Sequence, residues 1–189
     1  MKALTAAVSL CALFPAAAAA TPPPARADVS AEDREYLNRA HQNNLFEIIT
    51  SHLTDRASCA EVRRLAPEFA AHHTALDADL VSVATREGVT LYSVPEPLPR
   101  IGDLAARSGP DFDKAWLNAQ QEAHISAIAT TEREARQGWS PEVKDLAARA
   151  APVLHHHLEE VLAATDTAGE APDTTKATFT CVNVACPSG

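Results

Sequence analysis

Beyond residue 30 the apolar side chains return every three or four positions, which is the spacing of one helix face. Val62, Leu65, Phe69, Leu76, Leu80 and Val83 form one such stripe, and Val143, Ala147, Ala150, Leu154 and Val161 form another. Start and stop signals bound four long helices. The first is predicted after Ser30, where Ser30-Ala31-Glu32-Asp33 approximates a capping box, and runs to about Asp55. The second follows the Ser58-Cys59-Ala60-Glu61 box and ends near Gly88, a residue suited to a left-handed cap. Pro67 lies inside it and is expected to kink it. Val94-Pro95-Glu96-Pro97-Leu98-Pro99 reads as an extended connection, followed by a short helix from about Pro99 to Arg107. The third long helix spans about Pro110 to Gln137, with Gly138 as its stop, and Ser140-Pro141 opens a fourth that ends near Ala164. Two short connections and one longer one predict an all-α, antiparallel four-helix bundle in up-down-up-down order over residues 28–164, with an irregular C-terminal tail at 165–189.

Composition agrees with helices, because six glycines in 189 residues are few for a many-stranded β fold. The first 27 residues are set apart: Lys2 followed by an Ala-rich run from Ala3 to Ala20 has the plan of a signal peptide, cleaved after Ala20 or after Ala27. Cleavage at the later site removes Lys2 and Arg26 and moves the formal charge from −9 to −11. The expected mature protein is exported, periplasmic or secreted, and has no transmembrane helix. No Lys/Arg stripe is present, which argues against nucleic acid as a partner.

Export permits disulfides. Cys181 and Cys186 could close a small loop in the tail and leave Cys59 buried or open to intermolecular pairing; in the competing arrangement Cys59 joins either tail cysteine.

The helical period makes the histidines informative. His73 fills the gap between Phe69 and Leu76 in the second helix, and His157 is the missing member between Leu154 and Val161 in the fourth. His124 shares a face with Leu117 and Ile128, and Glu47 falls near the Tyr36 and Ala40 side of the first helix, where Asn43 and Asn44 are also available. At about 1.5 Å of rise per residue all four come to the middle third of the bundle. Three imidazoles and a carboxylate can bind Fe, Zn, Mn or Cu ions, so Glu47, His73, His124 and His157 are candidate metal ligands. The plainer reading is a structural polar layer in which buried His and Glu satisfy each other by hydrogen bonds. In His155-His156-His157 only one ring can face the core, so His155 with Glu159 and His156 with Glu160 read as surface i,i+4 pairs. His41, His52 and His72 also read as surface residues.

These residues resemble the exported bacterial family called domain of unknown function 4142. The resemblance runs from about Tyr36 to Leu162 and rests on Glu47, the Val62 to His73 stretch, Phe112-Asp113 with Trp116 and His124, and Pro152-x-Leu154-x-x-His157-Leu158. It implies a ferritin-like four-helix bundle and an exported location, with no assigned reaction. His72 stands where the family usually has Asp, and Pro67 interrupts the helix leading to His73. A di-iron site of ferritin type would need two Glu-x-x-His elements, and the sequence has none; Gln121-Glu122-Ala123-His124 is the nearest approach.

The sequence also holds no phosphate loop, Gly-x-Ser-x-Gly elbow, His-Glu-x-x-His or Cys-x-x-Cys. It therefore points to a non-catalytic exported module for binding or envelope stress. The alternative is a ferritin-like metalloprotein with one metal ion amid the four named side chains. Self-association, or docking on an envelope partner, is a third reading.

Overall fold

The computed structural model describes residues 29–92 and 98–169, and every regular element among them is helical. Five α-helices follow in order: α1 (Ala31–Ser51), α2 (Ala60–Arg86), α3 (Leu98–Ala105), α4 (Gly109–Gln137) and α5 (Pro141–Gly169), with a 3₁₀ turn at Thr54–Arg56. The predicted signal peptide and the tail beyond Gly169 lie outside the described residues. No helix among the described residues is long and apolar enough to cross a membrane.

Local chemistry explains most boundaries. The Ser30 hydroxyl accepts from Asp33 N–H (3.0 Å) and the Asp33 carboxylate accepts from Ser30 N–H (2.9 Å), so the capping box forms with Asp as its second member. Gly88 takes φ +68°, and Val89 N–H donates to Ala84 O (2.8 Å), closing α2 as the sequence suggests. The predicted Ser58–Glu61 box does not form. Ser58 turns away to donate to Asp113 of α4, whose carboxylate also accepts from Ser58 N–H (3.1 Å) and Cys59 N–H (2.9 Å). The cap of α2 is thus supplied by another helix. α4 ends where Gly138 swings to ψ 155°, and glycine is needed there because a Cβ would lie 2.7 Å from the carbonyl oxygen of Glu134. The fourth long helix continues to Gly169, past the predicted end at Ala164.

α1 packs on α2, α2 on α5, α5 on α4 and α4 on α1, which makes a four-membered ring. Each neighbouring pair is antiparallel. Glu32 meets Arg133 (3.4 Å) while Thr50 meets Gln120 (3.4 Å), and Arg64 meets Glu160 (3.3 Å) while Arg86 meets Glu142 (2.8 Å). Across the diagonal, α2 and α4 run parallel, since Ser58 meets Asp113 and His73 meets His124. The order is therefore up-down-down-up, which corrects the expected alternation. Its cause is the long connection: Val89 and Leu91 pack at the α1 N-terminal end, Leu104 of α3 packs at the other, and α4 starts there. One long crossover is also what ferritin-like bundles use.

The apolar core is divided. One cluster, centred on Phe46, Leu65, Phe69, Phe112 and Trp116, fills the half near the α1 C-terminus. A second, with Leu37, Leu80, Val83, Val143 and Ala147, fills the opposite half. Between them lies a layer of polar side chains with no exposed surface.

Candidate metal centre

His73, His124 and His157 are each 0% exposed, as is Glu47. The stripes that predicted an inward direction hold, for Val62, Leu65, Phe69, Val143, Ala147, Leu154 and Val161 are all buried beside them. One nitrogen of each ring meets the others: His73 Nε2 lies 3.4 Å from His124 Nε2, and His124 Nε2 lies 3.2 Å from His157 Nδ1. All three nitrogens fall within 4.8 Å of one another. Phe69 forms one wall, stacked on His157 with centroids 4.1 Å apart.

The outward nitrogens decide where the protons are. His124 Nδ1–H donates to the backbone carbonyl of Gln120 (2.8 Å), and His73 Nδ1–H donates to Asn44 Oδ1 (2.9 Å). Asn44 is oriented in turn by its amide, which donates to Asp77 Oδ1 (3.4 Å), and Asp77 accepts from His41 Nδ1–H (2.7 Å). A neutral imidazole carries a single N–H, so Nε2 of both His73 and His124 is a bare lone pair. His157 Nε2 is paired with His72 Nδ1 (2.9 Å) and its Nδ1 carries at most one proton. One proton cannot serve three converging nitrogens. With Asn44 held so that its amide donates to Asp77, His73 Nε2 is left facing another lone pair.

Further protonation is disfavoured. Burial pushes His124 down to about 4 and, with the neighbouring His124, His72 and His156, His157 down to about 3. Burial and the adjacent imidazoles hold His73 well below the ordinary histidine range.

The spacing suits a cation. Nitrogen ligands at about 2.0–2.1 Å in tetrahedral geometry stand roughly 3.3–3.4 Å apart, and two of the three observed separations are 3.4 and 3.2 Å. An outer hydrogen bond on each ring is also what metal-bound histidines usually have, because it selects the tautomer and aims the lone pair.

Glu47 is brought near but not to the same point. Its Oε1 lies 3.8 Å from His124 Nδ1, the ring edge turned away from the convergence. Both of its oxygens lack a hydrogen-bond partner. Burial pushes its carboxyl up to about 8, and the Gln120 amide, near but outside hydrogen-bond geometry, and the Arg100 charge only partly offset this.

His72, read as a surface residue, is half-buried and supports His157. The cue was its place beside His73 on a neighbouring helix strip, which leaves its ring pointing to α5. His41 also departs from the surface reading, with a side chain only 11% exposed against Asp77. His155 pairs with Glu132 of α4 (2.9 Å), whereas the reading from spacing gave it Glu159. His156 reaches Glu160 (3.6 Å) as expected, and His52 is exposed, with Nδ1–H donating to Ile48 O (2.6 Å).

Cys59 is disulfide-bonded, so the arrangement that leaves it free does not hold. The remaining cysteines, Cys11, Cys181 and Cys186, lie outside the described residues.

Solved structures with this fold include a DUF305 fragment from Deinococcus radiodurans, with a TM-score of 0.65 and 14% identity over 72% of this chain and 97% of that one. A DUF305 protein from Streptomyces coelicolor, described as secreted, has a TM-score of 0.61 and 15% identity over 79% of this chain and 100% of that one. A protein from Bacillus halodurans described as a spore coat protein has a TM-score of 0.61 and 14% identity over 80% and 98%. Comparison with curated proteins found no match. A domain of unknown function, DUF4142, matches residues 18–164, and the chain belongs to that family.

Proposed function

We propose that the protein is an exported helical-bundle binding module that does not turn over a substrate, and that its ligand is a single borderline transition-metal ion held by His73, His124 and His157. The observation that carries this reading is the convergence of three imidazole nitrogens with too few protons to satisfy one another. A structural polar layer would be expected to pair its donors with its acceptors. Three imidazoles leave a fourth position open, and the ring nitrogens suit Zn²⁺, Cu²⁺ or Fe²⁺. Glu47 enters this reading as a buried carboxyl beside the outer edge of His124, not as a fourth ligand.

Export is supported by the Ala-rich leader with Lys2 at its head. The description of the Streptomyces coelicolor structure as a secreted protein is consistent with it. The acidic charge of −9 is a poor match for nucleic acid.

The test is elemental analysis of protein purified without a His tag, beside His73→Ala and His157→Ala. The reading predicts close to one metal ion per chain in the wild type and loss in both variants. Substoichiometric metal unaffected by either substitution would remove the metal and leave only the exported bundle.

A further inference from the structure

A cavity of about 360 Å³ opens between the helices on the α1 N-terminal side of the histidines. Its floor is one helical turn from the polar layer on all four helices. Asn44 is three residues from Glu47, Leu76 three from His73, Ala127 three from His124 and Leu154 three from His157, a rise of about 4.5 Å in each case. Because the bundle is up-down-down-up, all four steps lead toward the same end.

The cavity is two-faced. α2 and α5 contribute only Leu76, Leu80, Leu146, Ala150 and Leu154. Every polar lining group comes from α1 and α4, among them Tyr36, Asn43, Asn44, Thr130 and Thr131. The space exists because Ala40, Ala127 and Ala150 stand where larger side chains would fill it. Exposed Ser126 and Arg39 place the opening on the polar side. Arg39 is the one charged lining residue, and it stands exposed at the mouth beside Glu35 (2.9 Å). A charged guest would therefore lose hydration against an interior that offers it no charged partner.

We propose that this cavity binds a small uncharged amphiphile, with an apolar body against α2 and α5 and a hydrogen-bonding head toward α1 and α4. The volume is at the lower end of the roughly 300–1,000 Å³ common for ligand pockets, which suits a short aliphatic or single-ring molecule. The cavity shares Asn44 with the hydrogen bond behind His73, but its occupancy does not rest on metal at the histidines.

The test is titration of metal-free full-length protein with 1-octanol, followed by amide NMR shifts, against octanoate and octylamine. The proposal predicts saturable 1:1 binding, with shifts centred on Asn44, Ala127 and Leu154, and binding of both charged analogues at least about tenfold weaker. Ala127→Phe and the milder Ala150→Leu, each with wild-type circular dichroism, are expected to weaken octanol binding at least about tenfold by filling the space. No saturable shift in the wild type, or equal binding by the filled variants, would overturn the site. Equal binding by octanoate or octylamine would overturn the ligand class.

Discussion

Two unprotonated ring nitrogens, His73 Nε2 and His124 Nε2, face each other 3.4 Å apart in the core, and the hydrogen bonds behind them are what hold them there. Asn44 is the replaceable partner of that set. In Asn44→Leu the His73 ring loses its acceptor, and metal affinity, measured by competition with a chromogenic chelator, should fall roughly 10- to 100-fold while the helix content stays. Unchanged affinity would mean that Asn44 does not orient the ligand. At the far end of the bundle a second buried acid reports on pH. Burial, followed by the hydrogen bond and charge of Asp33, pushes Glu134 up to about 8 from its ordinary 4.5. At Asp33 burial acts upward too, but hydrogen bonds from Ser30, Trp139 and Glu134 outweigh it and hold that carboxyl low. A carboxyl raised in the folded state stabilises fully below its unfolded value and loses that contribution as pH climbs toward the folded one. Wild-type protein should therefore lose stability between about pH 4.5 and 8 at this position. Glu134→Gln keeps a donor for Asp33, so its thermal midpoint relative to wild type should be higher at pH 8.5 than at pH 5. A difference that does not change with pH would contradict the raised Glu134 carboxyl.

Element ends show which parts of the fold could be read from the chain. Local signals sufficed wherever the partner was local: Ser30 with Asp33, Gly88 at the end of α2, and Pro141 at the start of α5. Ser58 failed because Asp113, 55 residues away, binds its hydroxyl and backbone more closely than Glu61 could. Glu61 turns to Arg64 instead (2.9 Å). Asp113→Ala should accordingly cost about 1–3 kcal/mol in urea unfolding, because it strands the donors of Ser58 and Cys59. Glu61→Ala should cost well under 1 kcal/mol, as exposed pairs usually do. Equal effects would restore the local box. Direction of the helices was also invisible to local signals, since a connection of some twenty residues can either turn back or cross over. The histidines still came out at one level under the wrong direction. A residue near the middle of a long helix keeps its height when the helix is reversed, and His124 is the sixteenth residue of 29 in α4.

On the scale of the whole molecule, a polar layer splits one core into two apolar halves, which costs stability unless something fills it. Periodicity places three of its members, since His73 and His157 fill gaps in apolar stripes and His124 shares a face with Leu117 and Ile128. It brings Glu47 inside at the same level but does not show that its carboxyl meets the outer edge of His124, nor that His72 turns its ring to His157. If an ion completes the layer, one hundred times Kd of free Zn²⁺ should stabilise the fold by about 2.7 kcal/mol. His73→Ala and His157→Ala should show no such rise in thermal midpoint. The most direct measurement is the zinc-edge X-ray absorption spectrum of untagged protein loaded with one equivalent of Zn²⁺. Three imidazole nitrogens at about 2.0–2.1 Å, lost in His73→Ala and His124→Ala, are predicted. A shell of oxygens alone, or a spectrum unchanged by those substitutions, would contradict the triad as the binding site.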